Sequence, residues 1–142
     1  MNILKYYSIC LIITLACIAS GKQPEVPEDV ISHGERLIGE KKFPQAFNLI
    51  MPYAKKGITD AQFCAGIIIL SGELKLPKEH LGLTSDRLGL CWVEKAATQG
   101  NVEACILLAD AYKAGEHGVE KNAQLETFWR KMAEENERKI KH

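Results

Sequence analysis

The sequence lacks a surplus of either charge: Lys plus Arg and Asp plus Glu both number 18 among its 142 residues. Without the basic excess that displaces counterions from phosphates, it is not expected to bind nucleic acid or an anionic membrane surface. It also lacks the spacings that build a zinc site, since neither C-x-x-C nor H-x-x-x-H occurs. His33, His80, His117 and His142 are dispersed, which argues equally against a Cys–His nucleophile. No G-x-S-x-G elbow and no phosphate-cradling P-loop is present. Glu134 and Glu135 are adjacent carboxylates, but they fall in a charged terminal segment suited to solvent. No metal, no cofactor and no enzymatic activity are therefore expected. No alternating strand pattern competes with helix anywhere after the leader.

What is present begins with a leader. "MNILKYYSICLIITLACIASG" has one early lysine, an apolar run from about Tyr6 to Ala19 and small residues at its end, the order of an export signal. The run falls short of the roughly 20 apolar residues that span a bilayer. Residues 1–20 are thus expected to be an export signal and the polar 21–27 a tether, delivering residues 28–142 to the periplasm or cell envelope. Two processing routes fit: cleavage after Ala19 or Gly21, or lipidation at Cys17, because "TLAC" resembles a lipobox with Thr14 in place of the usual leucine.

The remainder reads as helices. "PEDVISHGERLIGEKK" places Val30, Ile31, Gly34, Leu37 and Ile38 near one face, and "FPQAFNLIMPYAKKG" places Phe43, Ala46, Phe47, Ile50 and Ala54 on a second stripe stopped by Gly57. "TDAQFCAGIIILSG" is expected to start from a Thr59 or Asp60 cap, and its nearly continuous apolar run predicts neighbours on several sides. A loop with Pro77 and Gly82 spans about 73–84. A helix capped by Ser85 or Asp86 ends at Gly100, the next runs from Asn101 to Gly115, and the last contains "AQLETFWRKMAEENERKIKH".

These helices repeat. Superposing Gly57 on Gly100 also superposes Ala61 on Ala104 and Gly72 on Gly115, a displacement of 43 residues. Trp92 superposes on Trp129 at a displacement of 37, the longer first loop absorbing the difference. Alanines 61, 96, 97 and 104 suit close helix approach, and each tryptophan suits a large gap between helix pairs. A single pair cannot bury its apolar faces alone, whereas stacked pairs share a core.

"WVEKAATQG", through Trp92, Lys95, Ala96, Ala97, Gln99 and Gly100, resembles a signature segment of the Sel-one-like repeat family, a relative of tetratricopeptide repeats. "AYKAGEHGVEKNAQLETFW" is similar to a second segment at Tyr112, Gly115, Val119 and Trp129. It departs from it at the extra His117, at Asn122 in place of aspartate and at Glu126 in place of alanine. "FPQAFNLIMPYAKKGITDAQ" is similar to the second half of a preceding unit, so the resemblance covers roughly residues 28–135. It implies an all-α fold, a right-handed α-solenoid of stacked antiparallel helix pairs with about two and a half repeats. The charged stretch after Ala133 then caps the last face.

Arrays of this kind resemble scaffolds that bind other proteins on an extended, concave surface. If the first helix of each pair lines that surface, Asp60, Glu103, Asp110 and Lys113 point outward, and Ile67 and Leu70, aligned with Asp110 and Lys113, extend an apolar patch. Asp60 has a competing role as a helix cap. Of the cysteines outside the leader, Cys64 and Cys91 differ in height by about 4 to 5 Å on helices joined by the long loop, which allows a disulfide. The alternative is that Cys64, Cys91 and Cys105 all pack as small core residues. Some relatives carry a cysteine pair eight positions apart; here Cys105 fits the second position and Ala97 occupies the first.

The expected function is a periplasmic or envelope-anchored protein-binding module whose partner is another protein, with any membrane contact made through a lipid anchor. Immunity to an antibacterial toxin and a cell-wall hydrolase or glycan-binding role are alternatives. Self-association is open, because so short an array leaves its first or last face to cover.

Overall fold

The computed structural model describes residues 28–75 and 84–142. Residues 1–27, where an export signal and tether are expected, with Cys10 and Cys17, and the loop residues Pro77, His80 and Gly82 lie outside the described residues. Among the described residues the chain is all-helical, with α1 at Glu28–Gly39, α2 at Phe43–Lys55, α3 at Thr59–Leu70, α4 at Ser85–Thr98, α5 at Val102–Ala114 and α6 at Ala123–Ile140. None of these is long and apolar enough to cross a membrane.

Local chemistry fixes most of the ends. Asn101 caps α5 by accepting from the Ala104 amide at 2.8 Å, and Asn122 caps α6 by accepting from Gln124 and Leu125. Gly115 closes α5 in the left-handed region. Two expected caps are corrected. α4 starts one residue early, from Thr84, whose hydroxyl accepts the Arg87 amide, so Ser85 and Asp86 are already helical. α3 starts from Ile58, which offers no side-chain cap; Thr59 and Asp60 are its first helical residues and bond to the neighbouring turn instead. Pro52 sits inside α2 on an exposed position.

The 43-residue displacement recurs in the hydrogen bonds of two turns. In the α2–α3 turn the amides of Lys56, Gly57 and Ile58 bond to the carbonyls of Tyr53, Ala54 and Tyr53, and 43 residues later those of Gln99, Gly100 and Asn101 bond to Ala96, Ala97 and Ala96. Gly57 and Gly100 hold φ of 91° and 96°, a region that side chains disfavour, which is why both turns carry glycine. Even the side chain under each turn corresponds. Gln62 donates to the Ala54 carbonyl at 3.4 Å, and the Cys105 thiol approaches the Ala97 carbonyl at 3.7 Å.

Consecutive helices pack on each other, and α3 touches α1 as well as α2 and α4. Gln62 meets Gln99, Gly66 meets Val93, and Leu70 meets Gly89, so positions rise along α3 as they fall along α4 and the pair is antiparallel. Asp110 meeting Arg130 and Cys105 meeting Asn136 give α5 and α6 the same relation.

Two apolar clusters form the core. The first joins Leu37, Ala46, Ile50, Ala54, Ala61, Cys64 and Ile68, with Trp92 packed against it; the second joins Leu90, Val93, Ala97, Cys105, Leu108 and Ala133, with Trp129 packed against it. Ala61, Ala96, Ala97 and Ala104 are all fully enclosed, as close helix approach requires. Each tryptophan is half-buried rather than enclosed, and Lys95 covers the Trp92 ring at 4.2 Å.

Candidate functional site

On α5 a helical period brings Glu103, Ile106, Asp110 and Lys113 onto one exposed stripe. Ala104, Cys105 and Leu108 occupy the opposite side in the core, so packing fixes which way the stripe faces. Ile106 is 43% exposed, a large aliphatic side chain set among charges. An open depression of about 350 Å³ lies here, floored by Ile106, Leu107 and Ala111 and rimmed by Glu103, Asp110 and Glu116. His117 completes its edge. This histidine lies between Gly115 and Gly118 in the α5–α6 turn, at φ 56°.

The rim is held in place from α6. Arg130 donates to Asp110 at 2.7 Å and to Glu126 at 3.4 Å. Bonding to these carboxylates holds its guanidinium above the ordinary arginine range. The pair is exposed, so solvent screening leaves it little net effect on stability. Its effect is positional: it fixes one oxygen of Asp110 against α6 while the carboxylate stays largely in water.

Of the four residues expected to face a partner, Glu103 and Asp110 meet in the depression. Lys113 lies farther along the same stripe, outside the lining. Asp60 is exposed but apart, accepting from the Asn101 side chain at 3.1 Å. That bond belongs to a polar seam between the two repeated turns, in which Thr59 and Gln62 also meet Gln99. The apolar extension through Ile67 and Leu70 is corrected. Both are half-buried, and Leu70 lies over Gly89 in the α3–α4 seam. Ile106, Leu107, Ala111, Glu116, His117 and Arg130 were not expected at the site. The signal for Ile106 was available, since it lies three residues after Glu103 and four before Asp110.

Cys64, Cys91 and Cys105 are thiols, and the expected Cys64–Cys91 bridge is not formed. The reason is rotational. α3 meets α4 through Gly66 and Leu70 against Gly89 and Val93. Cys64 lies two residues from Gly66, and Cys91 two residues from Gly89 and from Val93, roughly 200° around its own helix in each case. Similar height therefore does not bring the sulfurs face to face. Burial pushes the Cys64 thiol up to about 12, with the charges of Glu35 and Asp60 acting in the same direction. Burial also raises Cys105, partly offset by Asn136. Neither is poised as a nucleophile at neutral pH.

Among the described residues, no group of three or more His, Cys, Asp and Glu side chains comes together to hold a metal ion. Comparison with protein-family models, curated proteins and solved structures finds no match to this chain.

Proposed function

We propose that this chain is a small exported Sel-one-like repeat protein, a right-handed α-solenoid of about two and a half helix pairs that binds another polypeptide on the exposed stripe of α5. The proposed role is binding rather than catalysis. The observation that carries it is Ile106, an exposed aliphatic anchor framed by carboxylates on a helix whose other side is locked into the core. Interfaces concentrate their energy in such anchors, with a charged rim that excludes water.

The solenoid reading draws on the duplicated turns and on the contrast between α4 and α6. α4 buries Leu90 and Ala97 in the second core cluster. At the 37-residue displacement α6 carries Thr127 and Glu134 instead, both exposed. Polar residues at these two positions suit the last helix of a stacked array, although Phe128 is also exposed on α6.

A photoreactive benzophenone side chain at position 106 is expected to cross-link the protein to one polypeptide in its host, while the same group at position 127 gives no such product. Equal labelling from both positions, or none from 106, would remove the α5 docking reading. A toxin as the captured chain would make this an immunity protein.

The proposed export rests on residues 1–20. Cys17→Ser tests its form. Release from the membrane fraction marks a lipid anchor at Cys17, and an unchanged distribution with a mature start near residue 20 or 22 marks cleavage after Ala19 or Gly21. Protein retained in the cytoplasm with residues 1–20 intact would overturn export.

A further inference from the structure

We propose that the α5 depression takes a cationic polypeptide segment in which one aliphatic side chain is flanked by lysine or arginine. This rests on the docking reading above and names the chemistry of the partner. Apolar contact with Ile106, Leu107 and Ala111 does not by itself discriminate among partners. The rim does, because charge across an interface decides which partners are steered in and which are repelled.

Three carboxylates stand on that rim, and Glu103 and Glu116 form no ion pair among the described residues. Asp110 is bound by Arg130 through one oxygen, at 2.7 Å, and its side chain remains 62% exposed. It can therefore accept a second donor from solvent's side. An anionic segment would meet Glu103, Asp110 and Glu116 together. The one cation on the α5 stripe, Lys113, lies beyond the depression.

The spacing also selects a pattern. Glu103 to Asp110 spans about 10 Å of helix axis, with Ile106 between them. An extended peptide presents alternate side chains on one side about 6.6 Å apart. A basic–x–aliphatic–x–basic segment thus covers the stripe, its long basic side chains absorbing the small difference in reach. Exchange of Lys113 for a carboxylate would lengthen the acidic track without touching the core.

The test uses three fluorescent peptides of one alternating design: leucine at the centre, serine spacers, and lysine, glutamine or glutamate at the two flanking positions. Each is titrated into the isotopically labelled mature protein, reading affinity by anisotropy and location by amide shifts. The lysine peptide is expected to bind about tenfold more tightly than the glutamine peptide, and the glutamate peptide more weakly still. Amide shifts should centre on Glu103, Ile106 and Glu116.

The double change Glu103→Gln, Glu116→Gln should erase the lysine preference. Glu134→Gln with Glu137→Gln, the same charge change on α6, should leave it intact. Lysine and glutamine peptides binding equally with shifts at Ile106 would overturn the cationic preference while leaving the docking reading standing. Lysine-dependent binding that either charge change weakens alike would reduce the effect to net charge and overturn the site. No α5 shifts with any peptide would also overturn the proposal, and the cross-link from position 106 then decides the docking reading separately.

Discussion

Gly66→Ala is expected to lower stability by about 2–3 kcal/mol, although glycine to alanine within a helix ordinarily gains about 1 kcal/mol. The sign turns on what the added methyl group meets. A Cβ at Gly66 would lie 2.6 Å from Val93 Cγ2, 3.0 Å from the Gly89 carbonyl oxygen and 3.1 Å from the Val93 amide nitrogen. Two of those three atoms are backbone and cannot rotate away, so α3 and α4 must move apart. Their separation loosens both core clusters, because α3 packs into the first and α4 into the second.

Gly89→Ala meets Leu70 side-chain atoms at 2.7 and 2.8 Å and the Gly66 carbonyl oxygen at 3.2 Å. Leu70 is half-buried and has room to turn, so a smaller loss of about 1 kcal/mol is expected. Gly39→Ala has nothing within 4 Å and serves as the control, neutral or slightly stabilising. Urea denaturation midpoints of the three variants test the order. A Gly66→Ala protein as stable as the Gly39→Ala protein would mean that the two helices do not make this close approach. The approach is not repeated between α5 and α6, where the corresponding positions are Ala109 and Glu126.

How much of this was legible in the sequence depends on whether a signal was local. Turns were legible because glycine at positions 57, 100 and 115 and asparagine at 101 act on their own backbone neighbours. The 43-residue displacement was legible because it repeats those same local signals. The α3 cap was misplaced because Thr59 and Asp60 both have the right side chains, and their use is decided by Gln99 and Asn101, some forty residues away.

The Cys64–Cys91 bridge failed for a related reason. Counting residues from a loop gives height along a helix but not the rotation that decides which side chains face each other. Two of the seven lining residues of the candidate site, Glu103 and Asp110, were found. Leu107 and Ile106 look like core when read one at a time; the spacing of Ile106 between Glu103 and Asp110 carried a signal, and the position of α5 against α4 and α6 decides which aliphatic residues are left over. Arg130 needed the α5–α6 packing itself, since no local pattern connects it to Asp110.

Alkaline pH is expected to destabilise the protein through Cys64, by about 3 kcal/mol near pH 11. The thiol has an ordinary value of 9.0 and is pushed up to about 12 in the fold, first by burial and then by Glu35 and Asp60. Below pH 9 it is protonated in folded and unfolded chains alike, so its full contribution to stability is present and does not vary. Above pH 9 the unfolded chain ionises this thiol while the folded chain keeps its proton. The folded state then binds more protons, and stability falls by about 1.4 kcal/mol for each further pH unit until the folded thiol itself ionises near 12.

Cys64→Ala removes the titrating group. It should cost about 1 kcal/mol at neutral pH through lost packing in the first cluster, yet lose less than the native protein between pH 8 and about pH 11. The two stability curves are therefore expected to approach and cross. Every other group is common to both proteins and cancels in the difference. Cys105, also raised by burial, leaves a smaller residual slope in both. Denaturant unfolding at several pH values measures the difference directly. Parallel curves would mean that the Cys64 sulfur is reached by water or bonded to another group, and the core position between α1, α2 and α3 would have to be redrawn around it.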